Sequence, residues 1–527
     1  MMRYFVAIII GAGSLLIALL LTSPLAPLED QITSLKYRVR GEQKADSNIV
    51  LIYIDSEAIK DLQWPVRRSY YALMINALTE LKVRAIGIDI LFENPNDEYS
   101  EYDQLLAHVT AQAKNVVLSA YFEKLILGGW KLARVESKGG DDSSYNAFDY
   151  QQVSDVYRLG DGLHLPMPEL LQGAAGVGHV NVEEDRTLSL FIGSDQLIIP
   201  SFGTEVLRVA SGTKRENLRY DHETLALRNE GKLLEIYAPE GKVDLNFPGR
   251  ITSFATYPFL EVLKSYDAVR AGGSGAVPVQ NLKNKIILIG VIAEGIGKTW
   301  TTPVDARFPS LGLHAVFLDN ALRSGFTRTA PGWMVFGFAL LFGLCCAWFI
   351  LQRGAKAAWP IPVVSFTLIV IISFVCFAVS SFIIPLVPFM VAGLVASTSS
   401  LFYKHRFLRE QLQSAQSEKE KITMELRDRE AKVAMLEREL VSIESKQSED
   451  RTNELLEDIR RYKSEIHSLN ARKDDMEEAV VADTGSLSSM KNFEGIIYES
   501  GGPMRAVVDF VAKIAQSDAS VLVLGES

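Results

Sequence analysis

The chain has 527 residues, more than one hydrophobic core can serve, so several domains are expected. A formal net charge of −10 argues against nucleic-acid binding by this chain as a whole. The cysteines, Cys345, Cys346 and Cys376, all lie in apolar runs, so neither a disulfide framework nor a metal site is expected from them.

Residues 4–28 carry no charge and exceed the roughly 20 residues that cross a bilayer, which predicts a first transmembrane helix. A cleaved leader would have a shorter apolar region, about 7–15 residues, and an A-x-A-like site. "LLTSPLAPLED" lacks one, so the segment is read as an uncleaved signal anchor.

Residues 29–328 alternate strand and helix signals. Apolar β-rich runs fall at 48–55, 84–92, 115–122 and 285–290. Helical spacing occupies 69–82 (Leu73, Ile75, Leu78, Leu81), 101–113 and 313–325. Near-continuous apolar strands joined by helices predict an α/β domain with a mostly parallel sheet covered on both faces. Residues 124–160 are polar and glycine-rich and read as a surface excursion. Open α/β sheets bind ligands beyond the carboxyl ends of their strands. The ligand-binding candidates are therefore Asp55 and Asp89 in the first two strands, Trp64, Arg67 and Arg68 between them, and His314 opening the last helix. Each also has a structural reading: Asp55 as a cap, Asp89 in a core ion pair, the arginines as solvated charges. Asn181–Thr187, "NVEEDRT", lacks EF-hand spacing and reads as an acidic turn. His108, His164, His179, His222 and His314 are scattered, and no catalytic set or metal site emerges.

The stretch "KIILIGVIAEGIGKTW" ends in Gly297-Lys298-Thr299, yet Ile292 stands where a phosphate-binding loop needs its first glycine. Charge-free runs follow at 329–352, 357–379 and 382–403, making four transmembrane α-helices in all. Arg3, the pair Arg353 and Lys356, and the cluster Lys404, His405, Arg406 and Arg409 fall on one side if the N-terminus is cytoplasmic. Residues 29–328 then lie outside the inner membrane of a bacterium, in the periplasm, where ATP is scarce. No nucleotide role is expected for Lys298.

Residues 404–481 are charged and helical, with Leu408, Leu412, Ala415, Ile422, Leu426, Val433, Leu436, Leu440 and Ile443 at alternating spacings of three and four. This predicts a cytoplasmic coiled coil, read as a parallel homodimer against a single helix or an intramolecular hairpin. The phase breaks over 444–451 and resumes with Leu455 and Ile459. Residues 482–492 read as a linker.

Two resemblances rest on ordered motifs. "RAIGIDILFENP", "GHVNVEEDRTLS", "LNFPGRITSFATYPFLEVL" and the run from "LKNKIILIG" to "GLHAVFLDNALRSG" together resemble the type-two CHASE domain, an extracytoplasmic sensor followed by three membrane helices. Residues 493–527 resemble the opening of the AAA+ domain of sigma-54-dependent activators, with Gly525, Glu526 and Ser527 beginning Walker A. Together they imply an inner-membrane receptor, for an unknown periplasmic ligand, whose coiled coil controls an AAA+ output acting on sigma-54 RNA polymerase. ATP and magnesium belong to that output only if it is complete. These residues, which lack the Walker A lysine, are not expected to be an enzyme. The alternatives are a non-enzymatic sensor or scaffold, and the sensor part of a histidine kinase or nucleotide cyclase.

Overall fold

The computed structural model describes residues 2–96, 98–127, 150, 153, 158–183, 187–194, 197–221, 223–352, 360–444, 449–483, 490–493 and 496–499. The tail residues Gly525, Glu526 and Ser527, and the basic pair Arg353 and Lys356, lie outside them. The chain divides into two compact units. One comprises Ala26–Pro331 with Ile371–Pro385; the other comprises Met1–Leu25, Gly332–Val370 and Leu386–Ser527.

The first unit is a mixed α/β fold. After α1 (Met2–Thr22), which belongs to the second unit, it opens with α2 (Ala26–Arg40), β1 (Ile49–Ile54), α3 (Ser56–Leu62), α4 (Arg68–Glu80), β2 (Ala85–Asp89), α5 (Ser100–Ala113) and β3 (Val116–Leu127). Then follow β4 (Arg158–His164), α6 (Pro168–Gly173), β5 (Gly176–His179), β6 (Thr187–Ser189), β7 (Phe191–Gly193), β8 (Ile198–Pro200) and α7 (Phe202–Ala210). A small antiparallel sheet has β9 (Leu218–Asp221), β10 (Thr224–Asn229) and β11 (Lys232–Tyr237). The unit continues through β12 (Lys242–Asp244), β13 (Ala255–Pro258), α8 (Phe259–Arg270), β14 (Ile286–Val291), the short pair β15 (Thr299–Trp300) and β16 (Phe308–Pro309), and α9 (Ser310–Arg323).

The main sheet runs β13-β1-β14-β2-β3-β4-β7-β8, with β5 also on β3. From β13 to β3, and between β3 and β5, all pairings are parallel. Side chains alternate between two cores, as the period-2 pleat requires. Ile49, Leu51, Ile286, Leu288 and Val117 face one core with α7 and α9 residues such as Phe202 and Phe317. Val50, Ile52, Ile287, Ile289 and Ile88 face the other, with Tyr71, Leu106 and Phe259 of α4, α5 and α8. Helices therefore cover both faces, as the apolar runs predicted. Part of the surface excursion expected over 124–160 is instead strand and core: β3 extends to Leu127 and pairs antiparallel with β4 from Arg158, and Tyr150 and Val153 are buried; its other residues lie outside those described.

In the second unit, α10 (Gly332–Gln352) packs on α1 through Ala7, Ala347 and Leu351. Gly11 leaves no room for a Cβ beside Leu344, so the helices meet at close range. Among the described residues three helices are long and apolar enough to cross a membrane: Tyr4–Thr22, Gly332–Gln352 and Pro360–Ser380. The expected first span ends early, at Thr22 rather than 28, because the residue before Pro24 is pushed out of helical geometry. The segment expected at 382–403 begins with β18 (Phe382–Ile383) and enters the helix Val387–Glu444, which continues unbroken past 403. Tyr403 packs beside Ala7 and Leu351, and Lys404 Nζ donates to the Ile350 carbonyl at 3.2 Å.

The charged arm is a helical hairpin within one chain. Arg429 meets Glu465 at 3.2 Å, whereas Glu437, further along, meets Lys463 at 2.8 Å, so Val387–Glu444 and Glu449–Asp483 run antiparallel. Ile422 and Leu426, expected to face a second copy, pack on Ile466 and Leu469 of the same chain. Arg429, which interrupts the apolar seam, is held by Glu465 and lies 5.5 Å from the Tyr462 ring centre. Part of the expected linker is a strand, Met490–Phe493, paired with Ile496–Glu499.

Candidate functional site

The parallel strands end together on one edge of the sheet. There a cleft of about 280 Å³ is lined by Trp64, Asp89, Tyr121, Ile296, Lys298 and Ser310, with Ile90, Leu91, Val180 and Val291. Asp89 closes β2 opposite Gly290 of β14. A side chain at Gly290 would press on Leu311 of α9 at 3.0 Å, so glycine lets the first turn of that helix approach the strand ends. The segment after β14 turns into β15 and pairs with β16, placing Lys298 against the Trp300 ring at 4.6 Å. Ser310 N donates to the Lys298 carbonyl at 2.9 Å, joining that hairpin to the start of α9. A phosphate-binding loop hands its lysine to a helix; here Lys298 precedes a strand. Burial pushes the Asp89 carboxyl up to about 6, and the nearby Lys298 charge offsets part of that rise.

Asp89 and Trp64 thus share one cleft; the other candidates serve elsewhere. Asp55 caps α3, its Oδ1 accepting from Ala58 N at 2.8 Å. Arg67 lies 5.5 Å from the centre of the Tyr99 ring. Arg68 pairs with Asp103 at 2.5 Å and donates to the Asn94 carbonyl, tying α4 to α5. His314 is fully buried, edge-on to Phe202 at 5.1 Å, and neither ring nitrogen has a hydrogen-bond partner among the described residues. Burial pushes it down to about 4, and burial together with His314 pushes His179 down to about 3, so both rings are neutral at pH 7.

In the acidic turn, burial alone would raise the Glu183 carboxyl, but Arg158, Lys242 and Ser189 donate to it and hold it below the usual range. No group of three or more His, Cys, Asp or Glu fit to hold a metal occurs among the described residues. A larger groove of about 450 Å³, between β11, β12 and residues 324–331, lies away from the strand ends where open sheets bind ligands. Lys298, Tyr121 and Ser310 were not singled out as ligand groups by sequence. Tyr121 lies within β3, Lys298 just before β15 and Ser310 at the start of α9, so only the fold brings them to the end of β2.

A second arrangement in the same unit sits where the chain enters and leaves the apolar helices. Arg40 Nη1 donates to Asn246 Oδ1 at 2.7 Å, and Asn246 Nδ2 donates to the Gly325 carbonyl at 2.8 Å and to Ser381 Oγ at 2.9 Å. The Asn320 side chain holds the Asn246 backbone through bonds of 2.7 and 2.8 Å. Lys36 Nζ donates to the Ile384 carbonyl at 2.8 Å, and burial pushes this amine down to about 8 despite the Glu29 charge. Tyr37 meets Phe377 edge-to-face at 4.8 Å. Beside them β17 (Arg328–Thr329) pairs in parallel with β18.

A family model described as the CHASE2 domain matches residues 12–351. No curated protein and no solved structure matches the chain.

Proposed function

The chain belongs to the CHASE2 domain family, and from that premise we propose that it is a membrane-anchored receptor that senses a small solute in the Asp89 cleft. The CHASE2 domain is an extracellular sensor domain, which accords with a membrane signal receptor. The observation that carries the proposal is the joint centred on Asn246. Within the sensing unit it ties together α2, the segment leading into α10, and the loop after the apolar helix Pro360–Ser380. A ligand acts only by preferring one of two states. A joint touching three membrane-flanking segments gives that preference a route toward the helices.

The finer reading adds four spans, with the N-terminus and the arm from 404 in the cytoplasm of a bacterium and 29–328 in the periplasm. The three apolar helices and the apolar opening of Val387–Glu444 beside α1 and α10 support it. The proposed partners are the bilayer, a second copy of the chain, and sigma-54 RNA polymerase through an AAA+ output. That output would use ATP and magnesium and rests on the sequence of 493–527 alone. These residues are proposed to have no enzymatic activity of their own. Labelling with a membrane-impermeant maleimide tests the orientation. Leu233→Cys, exposed on the sensing unit, should react in spheroplasts, and Met435→Cys, exposed on the arm, only after lysis. The reverse pattern, or labelling of both, would refute it.

A further inference from the structure

The cleft combines apolar walls with two opposite charges, and that combination narrows the ligand. Resting on the reading of the cleft as the sensing site, we infer that it takes an amphoteric small molecule carrying both an ammonium and a carboxylate, as a free amino acid does. Trp64, 41% exposed, and Tyr121, 36% exposed, present aromatic faces at the opening, while Ile296 and Leu91 add aliphatic surface. Within this frame Asp89 stands half-buried at the end of β2. A bare carboxylate in such surroundings is poorly solvated, and an incoming ammonium supplies its counter-ion.

Lys298 is parked on Trp300 at the other side of the problem. A cation–π contact of this kind is weak at an exposed site, so the ammonium can turn to a ligand carboxylate. The positive end of the α9 dipole favours the same group, since Ser310 of its first turn lines the cleft, although the Ser310 N–H itself is already taken by the Lys298 carbonyl. A ligand with only a negative charge meets Asp89, and one with only a positive charge meets Lys298. A neutral apolar ligand leaves both unmatched. A volume of about 280 Å³ suits a molecule of amino-acid size.

The test is calorimetric titration of the 527-residue chain in lipid nanodiscs at pH 7.5. The probes are leucine, leucinamide (cation only) and N-acetylleucine (anion only), with glycine and valine varying the side chain. At least one of the three amino acids should bind, and removing either of its charges should weaken binding by roughly tenfold or more, the worth of one charged hydrogen bond. Asp89→Asn should weaken the amino acid by at least the same factor and leave N-acetylleucine unweakened. Lys298→Met should do the converse with leucinamide. Failure of all three amino acids to bind at 10 mM overturns the assignment, as does an unchanged affinity in Asp89→Asn.

Ile296→Trp, which fills the cleft, separates the two levels of inference. If singly charged probes bind as well as leucine and Ile296→Trp abolishes their binding, the cleft stands and the amphoteric assignment falls. If leucine binds and Ile296→Trp leaves it unchanged, the cleft is not the sensing site and both readings fail.

Discussion

Replacing Asp89 by Asn should make the protein more stable, and more so as the pH rises. Burial moves the folded-state carboxyl from its ordinary 3.8 to about 6, roughly 2 pH units. At about 1.4 kcal/mol per unit this sets a ceiling near 3 kcal/mol on the cost of ionising Asp89 in the fold. The side chain is only half-buried, and solvent screens part of the cost, leaving about 1–2 kcal/mol. A raised carboxyl contributes stability below pH 4 that is lost as pH climbs through 6, because the native state binds the extra proton in that interval. Asn keeps the shape and never ionises. The Tm of Asp89→Asn should therefore match the parent at pH 4 and exceed it by about 2–4 °C at pH 8, at roughly 2 °C per kcal/mol for a unit of this size. Tryptophan-fluorescence melts of the 527-residue chain in nanodiscs at several pH values would follow it. A Tm difference independent of pH, or a destabilised variant at pH 8, would refute the account of Asp89 as a charge held in the cleft at a cost.

Glu205 is fully buried between Arg208, at 2.7 Å, and the Tyr150 hydroxyl. Glu205→Ala leaves the arginine buried and uncompensated and should cost about 3–5 kcal/mol, measured as a collapse of Tm or of folded yield. The two nitrogens of His314 make no hydrogen bond among the described residues, so His314→Phe should hold or raise stability at pH 7. Its depressed ionisation means that stability present above about 6.5 is lost as pH falls through about 4, by about 3 kcal/mol, and the Phe variant should flatten that acid limb of a pH–Tm curve. Asn246→Ala removes bonds to Arg40, Gly325 and Ser381. Hydrogen exchange should quicken about tenfold or more at the amides of Thr327, Arg328 and Ala330, while the strands β1 and β14 keep their protection.

The strands β1, β2, β3 and β14 could be read from sequence because a strand buried on both faces leaves an unbroken apolar run. β13, "ATYP", could not: it is four residues long, ends in proline, and sits at the sheet edge by pairing with β1 from far along the chain. Asp89 stood out as a charge inside an apolar run. Lys298 stood out for a different reason, its likeness to a nucleotide loop, because only the β15–β16 turn brings it back toward β2. His314 was expected to open the last helix, but α9 begins at Ser310 and is buried from Leu311 to Ala321, so His314 lies inside a buried stretch with Phe202 against it. The arm shows the limit of periodicity most plainly. A seam of Ile422 and Leu426 announces that something apolar must cover it, but the same spacing serves a second copy or the returning half of one chain.

The short stretch Ile371–Pro385 belongs to the sensing unit although α10 and the first half of its own helix separate it from the rest in sequence. That has a consequence for modularity. A chimaera spliced at Pro331 would carry the cleft but omit Phe377, Ser381 and β18, leaving Asn246 and Lys36 facing foreign residues. The smallest portable cassette is residues 26–385 moved whole, with both long apolar helices, Gly332–Gln352 and Pro360–Ser380, included. In evolution as in engineering, this sensor should be inherited together with the helices that interrupt it.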